Sequence, residues 1–115
     1  MPLPSNIVTI TVTGTYQDFY GNALSGMVSF TPTSTELMDV AAPAFLDAEP
    51  VVATLDVNGH FSVVLPCTDN ANLAPAGWAY TVVEQVHGTR TYQVNLPHTL
   101  GSSVDLAAVA PVTGV

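Results

Sequence analysis

The sequence predicts an all-β fold, a two-sheet antiparallel sandwich of about seven strands. Apolar and polar residues alternate along several short segments, which is typical of strands with one buried face. Turn residues separate these segments at short intervals, and the 3.6-residue periodicity of a long helix does not occur. Since 115 residues suffice for one hydrophobic core, residues 1–115 are expected to form a single domain with short flexible termini.

The first two predicted strands are Ile7 to Tyr16 and Met27 to Thr31. Valine or isoleucine alternates with threonine in the first strand, so its threonine side should meet solvent or a partner. The segment from Asp18 to Asn22 carries turn residues. Pro32 ends the second strand because proline has no backbone N–H to donate.

The least regular part of the sequence runs from Thr33 to Pro50. We predict a long connection there, containing at most a short strand. Connections of this length in a small domain are more often functional than idle. The candidate partner contacts are two aromatic residues of the first turn and three apolar residues of this connection: Phe19, Tyr20, Leu37, Met38 and Phe45.

A hairpin is predicted for the next segment, with strands Val51 to Leu55 and His60 to Leu65. Residues 56–59 (Asp-Val-Asn-Gly) form its turn, and Gly59 suits the left-handed backbone conformation of a bulged turn.

A second hairpin is predicted from Trp78 to Val86 and from Arg90 to Leu96, and a last strand from Val104 to Val109. Pro66 stops the strand that precedes this hairpin. The segment from Leu65 to Trp78 is therefore interpreted as a crossover between the two sheets.

Alternation along the strands also predicts the residues that fill the space between the sheets. They are Ile10, Val12, Phe30, Phe61, Val63, Trp78, Tyr80, Val82 and Leu106.

Charge excludes several classes of function. The net charge is −8 and Arg90 is the only basic residue apart from histidines, so a run of phosphates or anionic lipids could not be neutralised. We therefore expect neither nucleic acid nor membrane as a partner. The absence of lysine also excludes a Walker-type phosphate loop and a Schiff-base nucleophile. Cys67 is the only cysteine, so no internal disulfide can form.

The chain is also poor in charge altogether. Only 9% of its residues are charged while 48% are hydrophobic, against a usual charged fraction of about a quarter. A surface made largely of Thr, Ser, Asn, Ala and Val favours coverage by other subunits, although a monomer with a threonine-rich sheet face is the alternative. The start of the sequence shows no signal peptide, and we expect synthesis in the cytoplasm.

Catalytic interpretations have little support in the sequence. Asp56 and His60 flank one turn and could form an acid/base pair, but the pattern places no nucleophile beside them. Cys67 is interpreted as a small buried residue, because no cationic neighbour in the sequence would lower its pKa. We predict that the protein is not an enzyme.

Metal and sugar binding remain alternatives without a supporting motif. Carboxylates scattered through the loops would hold a cation only if the fold gathered them at one end of the sandwich: Asp39, Asp47, Glu49 and Asp69. Trp78 and Tyr80 could form a carbohydrate platform, but their alternate strand positions favour the core. No cofactor and no metal is predicted.

Several segments together resemble a known domain type. Residues 14–16 (Gly-Thr-Tyr) and 21–32 (Gly-Asn-Ala-Leu-Ser-Gly-Met-Val-Ser-Phe-Thr-Pro) look like the opening of carboxypeptidase-regulatory-like and transthyretin-like sandwiches. Combined with residues 54–61, 65–69 and 77–84, they are similar to an Ig-like domain of virion structural proteins from phages of actinobacteria.

This resemblance implies an Ig-like or transthyretin-like sandwich and a structural role in the virion, as a capsid decoration protein or a minor tail or fibre subunit. The implied partners are other virion proteins and the chain itself. A host-surface or glycan-binding adhesin module is the alternative.

Overall fold

The protein is described by a computed structural model that covers residues 7–34, 36–40, 44–47, 49–86 and 88–110. The fold is all-β and sandwich-like. The strands are β1 (Thr9–Thr15), β2 (Met27–Pro32), β3 (Glu36–Asp39), β4 (Ala44–Asp47), β5 (Val51–Thr54), β6 (His60–Pro66), β7 (Leu73–Ala74), β8 (Tyr80–Gln85), β9 (Thr89–Val94) and β10 (Ser103–Asp105). A 3-10 turn spans His98–Leu100, and a short helix α1 spans Leu106–Val109.

These strands form three sheets. The three-stranded sheet has the order β10-β1-β6, and the four-stranded sheet has the order β5-β2-β8-β9. A small sheet with the order β4-β3-β7 lies beyond the end of β2. Among the described residues, every strand pairing is antiparallel except that of β1 with β10, which is parallel and departs from the predicted all-antiparallel arrangement.

The hydrophobic core lies between the three-stranded and four-stranded sheets. Phe30 from β2 contacts Phe61 from β6 across this space, with ring centroids 6.1 Å apart, and meets Tyr80 edge-on at 6.4 Å. Trp78 packs against Tyr80 at 5.0 Å. Eight of the nine predicted core residues are buried, and the ninth, Val63, packs against them while partly exposed.

The first predicted hairpin is wrong, although its turn is present. The Asp56 N–H donates to the His60 carbonyl at 3.0 Å, and Gly59 has the predicted left-handed conformation, with a φ of 72°. However, β5 pairs with β2 and β6 pairs with β1, so the two strands enter different sheets. The turn is therefore an arch: its residues reverse the chain locally, while seven register pairs with β1 decide where β6 goes.

The segment from Thr33 to Pro50 also differs from its prediction. It holds two paired strands, β3 and β4, which form the small sheet with β7. Strands of four residues are too short for alternation to identify them securely.

The predicted last strand from Val104 to Val109 is only partly correct. The chain is extended through Asp105 and then forms α1, because the Asp105 carboxylate accepts a hydrogen bond from the Ala107 N–H at 2.9 Å and caps the helix. The second hairpin, β8 with β9, and the crossover from β6 to β8 are confirmed.

Candidate interaction surface

The predicted partner contacts fall at the two ends of the sandwich. Phe19 and Tyr20 lie in the connection from β1 to β2, at the end where Tyr16 meets the arch at Gly59. The small sheet follows β2 and lies at the opposite end, where Val40 bonds to Asn72. The five residues therefore do not form one surface.

The turn that carries Phe19 and Tyr20 is fixed by Asp18. One oxygen of its carboxylate accepts the backbone N–H groups of Tyr20 and Asn22, each at 2.9 Å. The hydrogen bond from the Asn22 N–H has the largest effect, and together these backbone hydrogen bonds hold the pKa of Asp18 below its usual value. Phe19 and Tyr20 are almost completely exposed, so an ordered turn presents two aromatic rings to solvent.

The small sheet brings together two of the other predicted contacts. Met38 and Phe45 are directly opposite each other on β3 and β4, and both are exposed, Phe45 by 71%. Leu37 was predicted as a contact, but it is buried, since adjacent strand residues point to opposite faces. It lines an apolar cavity of about 260 Å³ together with Leu46 and Trp78.

A larger surface, which the sequence did not single out, covers the outside of the four-stranded sheet. Register pairs align its outward residues in three rows across the strands. The uncharged face, as we name it, consists of Met27, Ser29, Thr31, Val52, Thr54, Thr81, Val83, Gln85, Thr89, Thr91 and Gln93. None of these side chains is ionisable, although the chain has a net charge of −8.

The middle row shows the character of this face. Val52, Ser29, Val83 and Thr91 lie side by side on β5, β2, β8 and β9. Val52 is 53% exposed and Met27, in the next row, is 41% exposed. The face thus combines exposed apolar groups with hydroxyl and amide groups and carries no charge, and depletion of charge is one property of the core of a protein contact surface.

Acidic residues lie elsewhere. Asp18, Asp56 and Asp69 are in turns and loops, where backbone N–H groups occupy their oxygens and lower the pKa of each. Asp39 is fully buried in the small sheet. Glu84 belongs to the four-stranded sheet but points to its inner side.

Glu84 gathers the basic residue Arg90 and two tyrosines at one end of the sandwich. Its Oε1 accepts from Nε of Arg90 at 3.0 Å, and its Oε2 accepts from the hydroxyls of Tyr16 at 2.8 Å and Tyr92 at 2.7 Å. The Arg90 guanidinium lies over the Tyr92 ring, 4.6 Å from the centroid. Desolvation and the hydrogen bonds to Glu84 raise the pKa of both tyrosines, so they remain neutral donors.

The suspected acid/base pair has a different geometry. The Asp56 carboxylate accepts from the backbone N–H groups of Asn58 and His60, at 2.8 and 3.0 Å. The His60 ring instead lies 3.1 Å from the Thr15 hydroxyl. Asp56 is thus used to build the arch.

Sequence reasoning missed one histidine and carboxylate pair. Nδ1 of His98 lies 2.6 Å from Oδ2 of Asp69, and the His98 N–H donates to Oδ1 at 2.9 Å. Residues 29 positions apart give no sequence signal for such a pair. The His98 and Asp69 pair joins the crossover to the segment after β9.

Cys67, in the same crossover, is buried, and desolvation raises the pKa of its thiol. Cys67 is therefore not an activated nucleophile.

Within the described ranges, no three His, Cys, Asp or Glu side chains lie close enough to hold a metal ion. Within these ranges, the carboxylates of Asp39, Glu49 and Asp69 therefore do not form a cation site. The side chain of Asp47 lies outside the part of the chain that the structure describes. His87 also lies outside it. In the same part of the chain, no helix is long and apolar enough to cross a membrane.

No protein-family model matches the chain, and no curated protein is significantly similar to it.

Proposed function

We propose that this chain is a structural protein of a bacteriophage virion, a non-catalytic module that works by protein–protein contact as a capsid decoration or minor tail or fibre subunit. The uncharged face is the observation that carries this proposal. The facing sheets support the finer proposal that the sandwich is Ig-like or transthyretin-like. Its location would then be the virion.

Electrostatics explains why the uncharged face suits docking. Two surfaces of an acidic assembly repel each other wherever carboxylates meet, and burying an unpaired charge costs several kcal/mol. All nine acidic residues lie outside the eleven positions of the uncharged face. This face can therefore be covered without desolvating a charge, whereas close covering of Asp18, Asp56 or Asp69 in the turns and loops would desolvate a carboxylate.

Two valines provide a matched test of this surface. Val52 is 53% exposed on the uncharged face, and Val57 is 92% exposed in the arch. We expect Val52→Lys to reduce retention on purified virions at least about tenfold, because a lysine buried without a partner costs more than 1.4 kcal/mol. Val57→Lys should be retained like the wild type.

Retention is measured by adding each labelled variant to virions that lack the protein, followed by sedimentation and quantification of the bound label. Equal loss in both variants would show that charge in general matters rather than this face. Unchanged retention of Val52→Lys would contradict docking through the uncharged face.

The turn with Phe19 and Tyr20 favours a second function, binding to a host surface or a glycan. Two exposed aromatic rings on an ordered turn are suited to stack on sugars or to enter a receptor pocket. We expect the double variant Phe19→Ala, Tyr20→Ala to lose at least about tenfold in affinity for host cell-wall fragments. Met38→Ala, at the other end of the sandwich, should keep it. Absence of wild-type binding to these fragments would overturn this second function.

A further inference from the structure

We propose that two copies of this chain join through strand β9, edge to edge and antiparallel, so that their four-stranded sheets form one continuous eight-stranded sheet. This inference deepens the proposed function, because it names a second copy as the partner at the margin of the uncharged face. Only its last step, the doubling of a docking surface, rests on that function.

The position of β9 is the first argument. It is the last strand in the order β5-β2-β8-β9, and β8 is its only hydrogen-bonded strand neighbour in the described part of the chain. Its six residues, Thr-Arg-Thr-Tyr-Gln-Val, are mostly of the types that strands prefer. Such an edge presents unpaired N–H and C=O groups and is a template for another strand.

Natural edges usually carry protection, such as proline, an outward lysine or a charge that points inward. β9 has neither proline nor an outward charge. The outward residues of β9 are Thr89, Thr91 and Gln93, all exposed and uncharged. Arg90 is the one inward charge of β9, and Glu84 and the Tyr92 ring already compensate it, so it opposes pairing less than an unpaired charge would.

The other edges of the two main sheets are less suited to this pairing. β10 has three residues and leads directly into the Asp105-capped helix α1. β5 has four residues, and Pro50 precedes it. β6 is longer, with seven residues, but carries His60 at its start and Pro66, which has no N–H, at its end.

The sequence of β9 is complementary to itself in one register. In an antiparallel strand pair, directly opposed residues point to the same side of the sheet. The two-fold axis that relates two copies of β9 must therefore pass through a residue position and not between two residues. With the axis at Thr91, Thr89 meets Gln93 of the second copy, and Arg90 meets Tyr92. An axis at Arg90 would oppose two like charges, which is unfavourable.

Pairing of Arg90 with the second copy's Tyr92 would repeat the contact already made within the chain, where the guanidinium lies 4.6 Å from the Tyr92 centroid. Among the nine acidic residues, none is on β9, so the strand pair would bring no carboxylates into direct opposition.

The area of the uncharged face shows what such a dimer would add to docking. Four strands about 4.8 Å apart and six residues long, at about 3.3 Å per residue, give a flat face of about 400 Å². A stable interface uses about 800 Å² per partner. One uncharged face is therefore about half of a standard docking surface, and two joined through β9 make a whole one.

The proposal is tested by measuring the oligomeric state of the full chain. Substitutions of two threonines serve as test and matched control. Thr91 and Thr54 are both exposed on the uncharged face, at opposite edges of the same sheet. We expect sedimentation velocity to show a concentration-dependent dimer for the wild type. Thr91→Lys should raise the dissociation constant at least about fivefold, since it opposes two lysines across the axis. Thr54→Lys should leave it unchanged.

Spin labels on cysteines at the same two positions give the geometry, because buried Cys67 is not accessible to the label. Backbones at position 91 should lie about 5 Å apart, and those at position 54 about 36 Å apart. The longer distance combines seven strand spacings of about 4.8 Å with an offset of about four residues, at about 3.3 Å each, along the strands. A monomer at every concentration, or a dimer weakened by Thr54→Lys and not by Thr91→Lys, would overturn the proposal.

These outcomes are separable from those of the proposed function. Val52→Lys should remain dimeric while losing virion retention. A wild type that is monomeric yet retained on virions would overturn the β9 dimer alone.

Discussion

Replacing Phe30 by alanine is expected to reduce the free energy of unfolding by about 3–5 kcal/mol. Phe30 is fully buried between the two main sheets, where it contacts Phe61 from one and Tyr80 from the other. The smaller side chain leaves a cavity that both sheets line. Since a domain of this kind is stable by about 5–15 kcal/mol, the loss is a large part of the total.

The neighbouring residue is the control for this substitution. Thr31 lies on the same strand but points outward on the uncharged face, so Thr31→Ala should change stability by less than about 1 kcal/mol. Urea unfolding followed by the fluorescence of Trp78, the only tryptophan, measures both variants. Equal effects for Phe30→Ala and Thr31→Ala would contradict the two-sheet packing.

Replacing Glu84 by alanine is expected to cost about 2–4 kcal/mol. The change removes the acceptor of both Tyr16 and Tyr92 and the partner of Arg90 in one step. The tyrosine hydroxyls contribute most of this cost because they are partly buried, whereas Arg90 is one-third exposed and water screens its ion pair.

Glutamine at position 84 separates these contributions. Glu84→Gln keeps a carbonyl oxygen for the tyrosines but has no charge for Arg90, so we expect about half the loss seen with alanine. Gln85→Ala, one residue further on the exposed side of β8, is the control and should have little effect. Thermal and urea unfolding of the three variants give the comparison. A loss for Glu84→Ala no larger than that for Gln85→Ala would contradict the described hydrogen bonds.

Much of the fold could be predicted because alternation and burial agree along the longer strands. β1, β2, β8 and β9 lie where the pattern predicts them, and the aromatic residues of the core pack between two sheets. The pattern is informative there because each strand has one buried and one exposed face.

The partners of β5 and β6 could not be predicted in the same way. The residues from Asp56 to Gly59 reverse the chain whether the flanking strands pair with each other or enter different sheets, and only the ladders to β1 and β2 decide this. The end of the last strand at Asp105 could not be predicted either, because the role of Asp105 as a helix cap depends on the turn that follows.

The candidate surface was predicted least well, for a related reason. Charge composition indicated a surface poor in charge, but the outward residues of four strands become one face only when their register is known. Met38 and Phe45 were chosen as apolar residues of one connection, and their opposition on β3 and β4 follows from a pairing that the sequence does not reveal.

Quantitative mass spectrometry of virions purified from a lysate that contains the chain is the decisive measurement for the proposed virion role. The chain should remain with the virions through density-gradient purification, at a fixed ratio to a capsid or tail protein. Its absence from the virions while it is abundant in the lysate would contradict this role.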